Sequence, residues 1–194
     1  VKNLLLEKVV FQTVFDFKEV ISFLEKMTIK VWVNCARRMY PFFQELKERT
    51  VNCSKVTLIL EGSKWGLACN TIHMMDLIAF LTDQTKFEID VSNLFPKIYE
   101  SKRKGFIELG GELLIQSQRG DKLLLVDNRN FQIPPKFFIQ FEEVVIEIDQ
   151  ISGFSLEYPR NHPEKQVKRP FNVPLQSELT GKLSEQILKT DHSE

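Results

Sequence analysis

Apolar residues along this chain follow first a helical and then a strand rhythm. Phe17, Val20, Ile21, Leu24 and Met27 recur at three- and four-residue steps, which predicts an amphipathic helix. Asp16 stands before them as an expected N-cap, its carboxylate able to accept an orphan backbone N–H. Residues 28–33 alternate and are β-branched, so a strand follows. Pro41 disfavours helical geometry at the residue before it, so the next helix is expected to start there and to carry Phe42, Phe43 and Leu46. Residues 56–60 form a continuous apolar run, the pattern of a strand buried on both faces. Gly62 and Gly66 interrupt it. Thr71 is the expected cap of a helix that runs to Leu81, with Met74, Leu77 and Ile78 on its apolar side. The order strand, helix, strand, helix predicts a βαβ-like unit with a short parallel or mixed sheet. Residues 1–14 show no clean period.

After Thr85 the rhythm changes. Short apolar runs at 106–109, 112–117, 122–126, 137–140, 144–149 and 154–158 are separated by Gly110-Gly111, Arg119-Gly120-Asp121, Asp127-Asn128-Arg129-Asn130, Pro134-Pro135 and Ser152-Gly153. Strands joined by tight turns predict an antiparallel meander. Pro159, Pro163, Pro170 and Pro174 then mark an extended tail. Within it Leu179, Leu183 and Ile187 would share one side of a terminal helix, weakened by Gly181. The fold class expected is α+β: N-terminal helices with a short mixed sheet, then the meander, then the Pro-rich tail. Residues 1–158 are read as a single domain with a helix/strand part (1–85) and a β-rich part (86–158), and 159–194 as the tail.

Composition narrows this picture without redirecting it. The 194 residues are 43% hydrophobic and 27% charged, ordinary values for a globular domain. The 26 basic and 26 acidic residues cancel, so bulk charge argues for no polyanionic partner. No apolar run approaches the ~18 residues that span a bilayer. Three cysteines (Cys35, Cys53, Cys69), with no CxxC pair, suggest a reducing, intracellular setting, in nucleus or cytoplasm. A chain that starts at Val1 suggests a module of a longer protein.

Candidate chemistry is sparse. GxGxxG and GxxxxGK[ST] are absent, although residues 62–66 lie between a strand and a helix, where phosphate loops sit. Cys69 and His73 are four apart, one helical turn, but no nearby His or Cys completes a metal set, so no metal is expected. His73 is the one histidine on the folded body, since His162 and His192 fall in the tail, but no GxSxG elbow surrounds any serine, so a Ser-His-Asp or Cys-His hydrolase is not expected. Glu61, Lys64, Asp90 and Asp127 lie at or near strand ends, as the carboxylates of a metal-dependent phosphodiesterase do. Lys97, Lys102, Arg103 and Lys104, with Tyr99 and Phe106 beside them, suit phosphate contact and base stacking. Phe42-Phe43 and Phe137-Phe138 are adjacent pairs. Neighbours in a helix or strand point apart, so one ring of each pair is expected to reach a second surface.

The function expected on these grounds is a non-enzymatic interaction or scaffolding domain. It would bind a protein partner through Phe42, Phe43, Phe137 and Phe138 at a groove or sheet edge; a homodimer, with the basic loop facing the acidic strand of the other copy, is a separate expectation. The domain would lie near nucleic acid through Lys97, Lys102, Arg103 and Lys104, and need neither cofactor nor membrane. The alternative is a nuclease-like or phosphotransfer domain using Glu61, Lys64, Asp90 and Asp127 with a divalent metal.

Overall fold

The computed structural model describes residues 2–8, 10–11 and 13–191. The chain divides into two compact units, residues 1–40 with 174–194 and residues 41–173.

The first unit holds β1 (Asn3–Glu7), α1 (Val14–Lys26) and β2 (Lys30–Asn34), with β1 and β2 paired in parallel. The N-cap of α1 is Thr13 rather than the expected Asp16. The Asp16 N–H donates to Thr13 Oγ1 at 3.1 Å, and the Thr13 hydroxyl donates to Asp16 Oδ2 at 2.7 Å. Asp16 is thus the acid of the first turn, favoured there by the helix dipole. Thr28, at φ 56°, turns the chain out of the helix. The terminal helix α4 (Gln176–Asp191) belongs to this unit, and its Leu179 packs with Ala36 and Met39. His192 lies outside the described residues.

The second unit is built on a mixed eight-stranded sheet. Its strands are β3 (Val56–Gly62), β4 (Phe87–Asp90), β7 (Gly111–Ser117), β8 (Lys122–Asp127), β9 (Lys136–Phe141), β10 (Val144–Asp149), β11 (Phe154–Pro159) and β12 (Val167–Pro170), in the order β12-β11-β10-β9-β3-β8-β7-β4. A short hairpin, β5 (Tyr99–Glu100) with β6 (Ile107–Glu108), stands apart from it. Two helices complete the unit, α2 (Pro41–Thr50), which starts at the expected proline, and α3 (Leu67–Thr82).

The chain is α+β with a mixed sheet, as expected, but the parts are not sequential. β3 lies in the middle of the later strands, parallel to β8 and antiparallel to β9. Nor is it buried on both faces. Val56, Leu58 and Leu60 are buried, with Leu123, Leu125, Ile139 and Phe141 beside them, whereas Thr57, Ile59 and Glu61 are half-buried on the other face. α3 starts four residues before the expected cap, and the Thr71 hydroxyl donates back to the Leu67 carbonyl at 2.6 Å. The stretch after Pro159 is no loose drape. Residues 167–170 pair with β11, and Phe171 is buried against Phe42 and Phe43, with ring centroids 5.0 and 5.9 Å away.

Candidate functional site

β3 and β8 are the only parallel neighbours among the described strands of the large sheet, and α3 follows β3. In open α/β sheets, ligands gather at the carboxyl ends of such strands. Here those ends are Gly62 and Asp127, paired in register. Beside them opens a cleft of about 330 Å³, lined among others by Asn93, Phe95, Gly111, Glu112, Asp127 and Asn128.

The glycines of this region are tied to close packing. A Cβ on Gly62 would stand 2.8 Å from the Pro135 Cα. Gly111 has φ +103°, and its Cβ would stand 2.5 Å from the Asn93 carbonyl oxygen. Only a bare backbone lets the 93–95 segment close over β7.

Under the cleft runs a charged network. Asp127 is fully buried; its Oδ1 accepts the Lys64 N–H at 2.7 Å, and its Oδ2 has no hydrogen-bond partner. Glu108, also buried, accepts the Ala68 N–H at 3.0 Å in the first turn of α3. Arg129 stands between the two carboxylates, 3.5 Å from Asp127 and 3.8 Å from Glu108. It donates to the Leu109 carbonyl at 2.7 Å, and its guanidinium lies 4.7 Å over the Tyr99 ring. Trp65 Nε1–H donates to the Val126 carbonyl at 2.8 Å, closing the loop onto β8. Glu108 and Arg129 carry no motif. They read as the end of one strand and part of a polar turn, and only the β5–β6 hairpin brings them together.

The residues proposed from sequence do not assemble as expected. Asp127 is in the network. Glu61 lies half-buried on the open face, and Lys64 is exposed, with φ 54°. Asp90 is exposed on edge strand β4, three strands from β3. Three strand spacings are roughly 14 Å, too far for one ion to bridge. The Asp90 carboxyl is held below its usual range by hydrogen bonds from Ser92. No cluster of three or more His, Cys, Asp or Glu able to hold a metal occurs among the described residues.

The basic set sits at and beside the β5–β6 hairpin. Lys97 lies 5.4 Å from the Tyr99 ring centroid and Arg103 5.5 Å from that of Phe106, so both rings are covered by neighbouring cations. Lys102 and Lys104 are solvated at the tip. Phe43 and Phe137 are core residues, and Phe42 packs on Phe43 and Phe171 within the unit. Phe42 is nevertheless half-buried, and Phe138 lies half-buried on the open side of the sheet. His73 is half-buried on α3, with Cys69 one turn before it. No described helix is long and apolar enough to cross a membrane.

No family model matches the chain, and no curated protein matches it. Solved structures do. A Gfo/Idh/MocA family oxidoreductase from Vibrio cholerae superposes with TM-score 0.62 at 15% identity, over 97% of this chain and 61% of that one. UDP-N-acetylglucosamine 3-dehydrogenase GnnA from Acidithiobacillus ferrooxidans gives 0.62 at 11% identity, over 93% and 58%. The dehydrogenase MviM from Clostridium difficile gives 0.61 at 13% identity, over 87% and 55%. The chain therefore spans between about half and two-thirds of the structures it resembles. This likeness overturns the expected non-enzymatic scaffolding domain and its nuclease-like alternative, and it lends no support to the nuclear, nucleic-acid-associated setting. The architecture of this chain is one shared with oxidoreductases.

Proposed function

We propose that this chain supplies the substrate side of an oxidoreductase acting on a hydroxylated small molecule. The observation that carries this reading is the cleft at the carboxyl ends of the parallel β3–β8 pair, in a fold shared with dehydrogenases. Its lining suits such a ligand. Phe95 offers an apolar face, Asn93 and Asn128 offer amide donors and acceptors, and Glu112, exposed at the rim, offers an anionic acceptor for hydroxyl groups.

Converting an alcohol to a carbonyl releases a proton, and imidazole is the commonest acceptor. We put forward His73 for that role: it is half-buried on α3, the helix that follows β3, and is not itself among the residues that line the cleft. The other described histidine, His162, is exposed in a turn against Glu164.

A dehydrogenase also uses a dinucleotide for the hydride. The described residues do not fit one: the sequence has no glycine cradle, and carboxylates already hold backbone N–H groups of the β3–α3 loop and first turn. The first unit supports a division of labour. Parallel sheets are found covered on both faces, yet this one has two strands, and its helix leaves Phe15, Phe17 and Phe23 exposed. In this reading β1, α1 and β2 join a larger parallel sheet that carries the dinucleotide.

The test is ligand-dependent stability of the chain against N-acetylglucosamine, simple hexoses and polyols. A hydroxylated ligand should raise the melting temperature, and Glu112→Ala or Asn128→Ala should abolish the rise. If no compound of this class stabilises the chain, the reading fails.

A further inference from the structure

A dinucleotide places its phosphates where a strand of a parallel pair runs into the following helix, because free N–H groups and the helix dipole both favour negative charge there. This chain has two such places, one between β1 and α1 and one between β3 and α3. Both carry a carboxylate of the chain itself.

At the second place the fit is close. Glu108 Oε2 takes the Ala68 N–H at 3.0 Å and Asp127 Oδ1 takes the Lys64 N–H at 2.7 Å, so donors that would meet a phosphate are engaged. Both carboxylates are buried, against the one guanidinium of Arg129. The net charge of this trio is negative, and the N-terminus of α3 offsets it. A phosphate arriving here would meet like charge out of water, where repulsion is least screened. At the first place Asp16 occupies the opening turn of α1, locked to Thr13 by two hydrogen bonds.

We infer that Glu108, held by Arg129, is a built-in anion at the start of α3 that bars dinucleotide phosphates from this crossover, so that the chain itself does not carry the dinucleotide. The inference deepens the oxidoreductase reading in what it says of the dinucleotide, and its charge comparison is made without substrate.

The experiment uses the full chain. NADPH is titrated to millimolar concentration, following energy transfer from tryptophan to the reduced nicotinamide. In parallel, melting temperature is read in inorganic phosphate and in chloride of equal ionic strength. Wild type should give no saturable NADPH signal and no phosphate-specific shift. Glu108→Gln keeps an acceptor oxygen for Ala68 N–H and loses the charge, so it should gain a phosphate-specific rise of a few degrees. Saturable NADPH binding by wild type overturns the inference. So does an equal phosphate response in wild type and Glu108→Gln, whether both rise or neither does. Because Glu108→Gln preserves the cap, near-UV circular dichroism like that of wild type is expected, and Arg129→Lys serves as the second variant, keeping the charge while loosening the clamp. Under the inference Arg129→Lys stays indifferent to phosphate, and a gain there equal to that of Glu108→Gln overturns it.

Discussion

The Asp121 carboxylate sits fully buried where the β7–β8 turn meets the start of β3. It accepts from Arg119 at 2.8 and 3.0 Å, from the Ser117 hydroxyl at 2.7 Å and from the Val56 N–H at 2.8 Å. Burial pushes its pKa up, but the hydrogen bonds from Arg119, Ser117 and Val56, together with the Arg119 charge, outweigh that and hold it below the usual carboxylate range. A depressed native pKa means that the unfolded chain binds the proton more readily. The stabilisation is therefore complete above the unfolded value, about pH 4, and is lost as pH falls from there through the native pKa. Asp121→Asn should lower stability by about 1–3 kcal/mol at neutral pH and flatten the acid limb of the stability profile, as urea unfolding at stepped pH would report. The adjacent rings Phe137 and Phe138 make a second residue-scale comparison. Phe137 is 1% exposed in the core, whereas Phe138 lies half-buried on the opposite face. Phe137→Ala should destabilise by about 3–5 kcal/mol, and Phe138→Ala by much less. Equal losses would mean that the open face is covered.

Among the elements, α4 and α1 show how local chemistry sets helix strength. Gly181 lies inside α4, without positive φ, and a Cβ there would meet nothing within 4 Å. Gly181→Ala should therefore stabilise by roughly 0.5–1 kcal/mol, through the unfolded chain's entropy alone. Circular dichroism melts of the two proteins check this. At α1, Thr13 holds the cap and Asp16 answers it, a reciprocal pair with the same logic as a capping box. Thr13→Ala should cost about 1 kcal/mol in the first unit. The pattern of apolar residues located the body of each helix well but the first residues of α1 and α3 poorly, whereas proline geometry placed that of α2. Periodicity comes from the buried side, while the start depends on which polar side chain reaches an orphan N–H. Thr71 illustrates the difference: its hydroxyl returns to the Leu67 carbonyl within a helix that already began at Leu67.

At the scale of the molecule, two units with separate cores should unfold as two cooperative events. Leu58 is buried on β3, which pairs with β8 on one side and β9 on the other. Leu58→Ala should lower the larger calorimetric transition, by about 2–5 kcal/mol, and leave the smaller one in place. A single transition shifted as a whole would show the units to be one cooperative body. The open face of the large sheet belongs to this scale too. Phe138, Ile59, Leu124 and Leu114 follow one another across four neighbouring strands in register, half-buried on the side away from the buried core row. No single strand shows that row, because each contributes one residue of a two-residue repeat.

The sequence by itself determined what depends on neighbours a few residues away. The α+β character, the strand from 144 to 149, the helix opening at Pro41, the terminal helix and the Gly120 turn all follow from side-chain period, proline geometry and glycine's freedom at positive φ. Tertiary structure alone decided that β3 threads between β8 and β9, that Phe171 from the tail closes the core, and that Glu108, Asp127 and Arg129 meet at the start of α3. The physical reason is one of range. Local preferences act through a few bonds, whereas burial joins any surfaces that fit, and nothing in the spacing of residues 68, 108 and 129 marks them as neighbours.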